Sequence, residues 1–173
     1  MRHHPIDSLL FKTNRERFIH RLPESATAIL FSNDQYPRNG DQLFKFRQNS
    51  DLFYLTGIDQ EKTILLISPD CPNQKLREAL FIIKTNEKLA TWEGHKYTKS
   101  EAREISGIEN VHWLDDYKLI LNEIMMVSAN IYLNRNEYPK FFPEVEGRNE
   151  RLGNDLKKEF PLHNFHRSAG ILT

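Results

Sequence analysis

At 173 residues the chain has the size of one domain and is long enough to bury a core. Hydrophobic residues make up 39% and aromatics 11%, which excludes a disordered chain. Lys plus Arg number 24, as do Asp plus Glu, so no global field predicts a nucleic-acid partner or an anionic membrane.

The opening residues Met1-Arg2-His3-His4-Pro5 begin no signal-like apolar run. Thr13-Asn14-Arg15-Glu16 has the form of a capping box and predicts a helix with Phe18, Ile19 and Leu22 on one face, ended by Pro23. Ala26–Phe31 reads as a buried strand. Tyr36–Asp41, with Pro37, Asn39 and Gly40, reads as a turn or loop, and Phe44–Phe46 as a short strand. Asp51–Leu55 is expected to form a helical turn stopped by Gly57.

Thr63–Ser68 and Leu76–Lys84 read as two strands of a hairpin, because Pro69-Asp70-Cys71-Pro72-Asn73 between them has turn chemistry. Thr98-Lys99-Ser100-Glu101 is a second capping box, with Gly107 as the stop of its helix. Val111–Leu114 reads as a strand. Asp115 or Asp116 is expected to cap a helix whose apolar face is Leu119, Ile120, Ile124 and Val127. Asn130–Leu133 is a strand, Asn149–Phe160 a helix ended by Pro161, and Leu162–Phe165 a last strand. The run 111–133 has βαβ form, which favours parallel pairing. The expected fold is α/β, a mixed sheet of about six strands flanked by helices. Residues 169–173 read as the start of a linker.

Little of this carries chemistry. Cys71 is the one cysteine, which excludes an intramolecular disulfide and any multi-cysteine metal site and suits a reducing, cytoplasmic setting. In its predicted loop, no base or cation is evident to activate it. Among the 7 histidines no pair has zincin spacing. His163 and His166, three apart in or beside a strand, face opposite ways and should not share a metal. Nucleophile-elbow and phosphate-loop patterns are lacking, and the sequence holds only 7 Gly. No catalytic or metal-binding residue is therefore expected in these 173 positions. The longest apolar stretches are far short of the roughly 20 residues of a membrane span.

One segment, Tyr36–Gly57, mixes aromatics with Arg47, Gln48, Asn49 and Asp51. Polar groups among aromatics are costly to bury unless each finds a partner, so these four predict a structural hydrogen-bonded network. Arg47 is expected to fork onto a carboxylate as a buried, paired charge.

Arg47-Gln48-Asn49-Ser50-Asp51, followed by Phe53-Tyr54-Leu55-Thr56-Gly57, resembles the signature of the N-terminal domain of the Xaa-Pro aminopeptidases, in the creatinase/prolidase superfamily. Upstream Arg38-Asn39-Gly40-Asp41 and downstream Trp92-Glu93-Gly94 fit the same register. The resemblance is most specific over residues 47–57 and loosest after residue 115. It implies a domain spanning residues 1–173 with a ribonuclease H-like motif, followed after Thr173 by a catalytic pita-bread domain. That second domain would hold two manganese ions, which activate water against the bond before a proline in position two.

The implied function is that of an accessory domain, inactive by itself, of a proline-specific metalloaminopeptidase (a hydrolase). It would shape the active-site cleft and support homodimer or homotetramer contacts. Its partners would be its own catalytic domain and short proline-containing peptides. Asp41, Trp92 and Arg167 are the implied cleft or intersubunit residues: a loop acid, an aromatic wall and an arginine near the domain boundary. The surroundings of Arg167, His166-Arg167-Ser168, depart from the Trp-Arg-Pro of some members. The alternative is a non-catalytic peptidase-like domain that binds proteins.

Overall fold

Asp7 starts the first helix, α1 (Ser8–Arg21), by accepting a hydrogen bond on its side chain from the Leu9 N–H at 2.9 Å. The computed structural model describes residues 6–84, 96–138, 140 and 144–172. The helix start expected at Thr13 is corrected, since Thr13–Glu16 lies in mid-helix. Its spacing imitates a capping box. In addition Asn14 and Arg15 face inward, which interrupts the apolar period that would have revealed the whole helix.

The strands are β1 (Ala26–Phe31), β2 (Pro37–Asn39), β3 (Gln42–Leu43), β4 (Ile64–Ile67), β5 (Glu78–Ile82), β6 (Val111–Trp113), β7 (Asn130–Leu133) and β8 (Asn164–Arg167). Six form one sheet in the order β6-β5-β4-β1-β7-β8. Strand β4 is antiparallel to both neighbours, whereas β1–β7, β5–β6 and β7–β8 are parallel. The mixed six-stranded sheet and the 63–84 hairpin agree with expectation. Residues 111–133 do not form a local parallel pair, because β6 and β7 have three strands between them.

Among the described residues the further helices are α2 (Ser50–Thr56), α3 (Lys99–Ser106), α4 (Tyr117–Met125), α5 (Arg148–Glu159) and α6 (Ala169–Leu172). Helix α4 packs Tyr117, Leu121, Ile124 and Met125 against the central strands, in a connection that carries the chain past β5, β4 and β1 before β7 begins. The expected apolar face is half wrong: Ile124 is buried, but Leu119 is 77% exposed and Val127 46%. No Asp side chain caps α4; a 3₁₀ turn at Leu114–Asp116 leads into it. The last strand begins two residues later than expected, and residues 169–172 are helical instead of linker-like.

Near residue 40 the expected turn joins the short strands β2 and β3 into a hairpin, whereas Phe44–Phe46 is not a strand. Gly40 supplies a left-handed turn at φ +55°, and the Phe44 N–H closes the base onto Tyr36 O at 2.9 Å.

Strands β1 and β4 are buried on both faces, as expected for a sheet covered by helices on each side. Ala28, Leu30, Leu65 and Ile67 pack beneath α1, α2 and α3, while Ile29, Phe31, Ile64 and Leu66 face α4 and α5. On the first face Arg15, 1% exposed, ties three elements together. Its Nη1 donates to Leu55 O and Ser106 O, both at 2.8 Å, and its Nε donates to Glu78 Oε2 at 2.8 Å. These two carbonyls lie at the C-terminal ends of α2 and α3, where a helix leaves acceptors unsatisfied and a cation meets the negative end of the dipole. Both helices end in left-handed glycines, Gly57 and Gly107. Among the described residues no helix is long and apolar enough to cross a membrane.

Candidate cleft at the carboxyl end of the parallel strands

Strands β1, β7 and β8 run the same way, so their C-terminal ends open on one side of the sheet. Ligands of open α/β sheets gather at such ends. Two adjoining cavities lie here, of about 550 Å³ and about 340 Å³, and both are lined by Asn136, Asn149 and Glu150.

Asn134, at the end of β7 and 1% exposed, sets the geometry. Its Oδ1 accepts from the Phe31 N–H and its Nδ2 donates to Phe31 O, both at 2.9 Å. The amide thus extends the β1–β7 ladder by one rung with a side chain. Arg151, on α5, grips Asp34 with two bonds: Nη1 to Oδ2 at 3.0 Å and Nη2 to Oδ1 at 2.9 Å. This fork holds α5 to the segment after β1, and the hydrogen bond to Asp34 raises the Arg151 pKa. Beside it Arg148 is drawn down, chiefly by burial, with Asp34 opposing, and its buried Nε has no partner among the described residues.

Arg167, at the end of β8, lines the larger cavity and pairs through Nη1 with Glu137 Oε2 at 3.0 Å. Its side chain is 74% exposed, so the pair orients Arg167 more than it stabilises the fold. Asp51, in the first turn of α2, is pushed above the usual carboxylate range by burial and then by the Glu137 charge.

Arg47 and Asn49 line the smaller cavity. Asn49 is also the N-cap of α2, accepting from the Asp51 and Leu52 N–H groups at 3.1 and 3.2 Å. Gln48 is buried and donates through Nε2 to Ile58 O and Gln60 O, at 3.0 and 2.9 Å. Arg47 departs from expectation. It is exposed, without an ion pair to a carboxylate among the described residues, and the buried paired charge of this region is Arg15. A guanidinium on the rim of a cavity keeps its hydration and has no need of a buried partner.

Asp41 is exposed at the turn of the β2–β3 hairpin and does not line either cavity, although Tyr36 and Phe44 at the hairpin base line the smaller one. Trp92 lies outside the described residues. The cleft therefore contains Arg167, Arg47 and Asn49, with Asp41 on an adjoining element. Sequence reasoning missed Asp34, Asn134, Glu137, Arg148 and Arg151. They come from three separate segments with no spacing to connect them.

Among the described residues no three His, Cys, Asp or Glu side chains converge on one point. His163 Nε2 donates to Met125 O at 2.8 Å and His166 Nε2 to Asn130 Oδ1 at 3.0 Å, on different partners. Cys71 is buried.

Fold and cleft together define an α/β domain with a polar, charge-paired opening at the carboxyl end of parallel strands. Residues 11–132 match the family described as Aminopeptidase P, N-terminal domain, and the chain belongs to that family. It is 23% identical over 123 residues to a Xaa-Pro aminopeptidase of Haemophilus influenzae, covering 70% of this chain and 28% of that protein. With intermediate cleaving peptidase 55 of Saccharomyces cerevisiae it shares 26% identity over 154 residues, 87% of this chain and 26% of that protein. A solved Bacillus anthracis structure described as an aminopeptidase P matches with a TM-score of 0.84 at 26% identity, over 96% of this chain and 39% of that one. Escherichia coli aminopeptidase P in its low-pH form, at 18% identity and a TM-score of 0.71 over 94% of this chain and 36% of that one, shows the same fold. The chain thus spans about a quarter of the length of the curated relatives named here.

Proposed function

We propose that the chain is the non-catalytic N-terminal domain of a cytoplasmic, proline-specific metalloaminopeptidase. The family match over residues 11–132 carries this reading. In this reading two manganese ions and the water they activate belong to a catalytic domain following residue 173. The described residues contribute a wall. Arg167, held by Glu137, presents a guanidinium at the mouth of the larger cavity, suited to a carboxylate of a short peptide or of an adjoining domain. Asp41, on its projecting hairpin, offers a carboxylate to a basic group or a substrate amine of a neighbouring subunit in a dimer or tetramer. Trp92 would supply an aromatic surface for a proline ring.

The test starts with the reading frame beyond residue 173. Two Asp, one His and two Glu in metal-binding order support the proposal. Purified 1–173 is expected to leave Xaa-Pro peptides intact, while the longer protein hydrolyses them and loses activity to a chelator. Hydrolysis by 1–173 itself would overturn the reading.

A further inference from the structure

A third cavity, about 690 Å³, lies between the start of α1 and α2. The rings of Phe11 and Phe53 line it, edge to face with centroids 6.1 Å apart. Ile6, Leu10 and Tyr54 also line it and stand 37%, 51% and 41% exposed. So many large apolar side chains in one exposed concavity mark an interaction surface. Its amides are already committed: Asn14 Nδ2 donates to Tyr54 O at 2.9 Å, and Gln48 Nε2 bonds the Ile58 and Gln60 carbonyls. Besides apolar surface the lining offers the Ser50 hydroxyl, one carboxylate and two cations.

Those cations are Arg17 and Arg47, both exposed lining residues and neither in an ion pair among the described residues. Asp59, the carboxylate among the lining residues, already has an interaction of its own. Apolar anchors beside two guanidinium groups complement a ligand with apolar side chains flanked by carboxylates. We propose that this groove docks an acidic amphipathic polypeptide segment of a partner, its apolar side chains entering between α1 and α2 and its carboxylates meeting Arg17 and Arg47. The concave shape favours inserted side chains over a flat lipid surface. A second copy is disfavoured, because a two-fold contact would bring the same cationic patches together. The proposal does not depend on the peptidase reading, and Arg47 is shared with the smaller cavity of the cleft.

Fluorescence anisotropy with the 173-residue chain tests it. The probe is a labelled helical peptide with Leu and Phe at i, i+3, i+4 and i+7 and Glu on the flanks; the control replaces every Glu by Gln. The acidic probe is expected to bind at low salt, with the Gln control at least about tenfold weaker. Arg17→Glu with Arg47→Glu, and separately Leu10→Asp, should each weaken the acidic probe by about tenfold or more while the melting temperature stays at the parent value. Arg17→Gln gives a milder check should the charge reversals disturb folding. No binding of the acidic probe overturns the proposal, as does equal binding of both probes or indifference to the arginine changes. So does binding to phosphatidylserine-containing vesicles without peptide binding, which assigns the patch to membranes. Dimerisation in sedimentation that Leu10→Asp abolishes assigns it to self-contact and equally overturns the proposal.

Discussion

The two faces of the sheet are closed by different physics. Beneath α1, α2 and α3 a buried guanidinium reaches into the apolar layer and holds two helix ends by their carbonyls. Beneath α4 and α5 the described buried side chains are apolar, aromatic or neutral polar groups such as the Thr27, Ser68 and Ser128 hydroxyls, and the charge pairs sit outside them at the rim of the cleft. An arginine that is 1% exposed has no water to return to when its partners are removed, whereas Arg151, with its side chain 47% exposed, remains solvated. The same residue type is thus a structural tie on one face and an adjustable surface contact on the other.

The largest expected effect tests that contrast directly. Arg15→Ala should lower the free energy of unfolding by about 2–5 kcal/mol, since it leaves two buried helix-end carbonyls without their donor, while Glu78, its side chain 30% exposed, can turn to water. Arg151→Ala should lower it by under about 1 kcal/mol. Urea denaturation of the two variants checks both, and similar losses would break the comparison.

Next come the two glycines beside Arg15. Both have left-handed φ, +69° at Gly57 and +67° at Gly107, where an added Cβ costs about 1–2 kcal/mol. At Gly57 that Cβ would also overlap the Phe11 ring, while at Gly107 its nearest neighbour is 3.7 Å away. Gly57→Ala should therefore shift the urea midpoint more than Gly107→Ala. Equal shifts would show that the Phe11 ring yields freely.

On the cleft side, Asn134→Ala removes the side-chain rung and leaves the buried Phe31 N–H and C=O unpaired. The expected loss is about 1–3 kcal/mol, read from thermal melts, with faster amide exchange at Phe31.

The smallest effect concerns His112, stacked on Phe81 with centroids 5.5 Å apart at the sheet edge. Burial lowers its pKa below 6.5, Lys99 and Arg103 push the same way, and Asp116 opposes them. The unfolded chain therefore binds a proton here before the folded one does. Stability is greatest above the unfolded value near 6.5 and falls as pH drops from there toward the depressed folded value. His112→Gln should flatten that part of the melting-temperature profile; an unchanged slope assigns it to other groups.

Much of the fold was legible from local signals. The 98–107 helix carried its own capping box and stop glycine, the 63–84 hairpin its turn residues, and Arg47–Gly57 its polar segment among aromatics. The site was much less legible. Asp34, Asn134, Glu137 and Arg151 meet only because β1 and β7 are neighbours, and the βαβ reading of 111–133 placed β7 beside the wrong strand. The buried arginine was missed for a related reason. Arg47 stands in a distinctive motif yet faces solvent, while Arg15 stands in an ordinary amphipathic stretch and is buried.

Sequence alone determined the α/β class, most element boundaries, the lack of cysteine clusters and the family signature, because hydrophobic period, caps and turn residues act over a few positions. Tertiary structure decided the strand order, which charges are buried and which residues share a cavity. Those outcomes follow from how α4 crosses the sheet and from which carbonyls come within reach of Arg15, distances that no local pattern encodes.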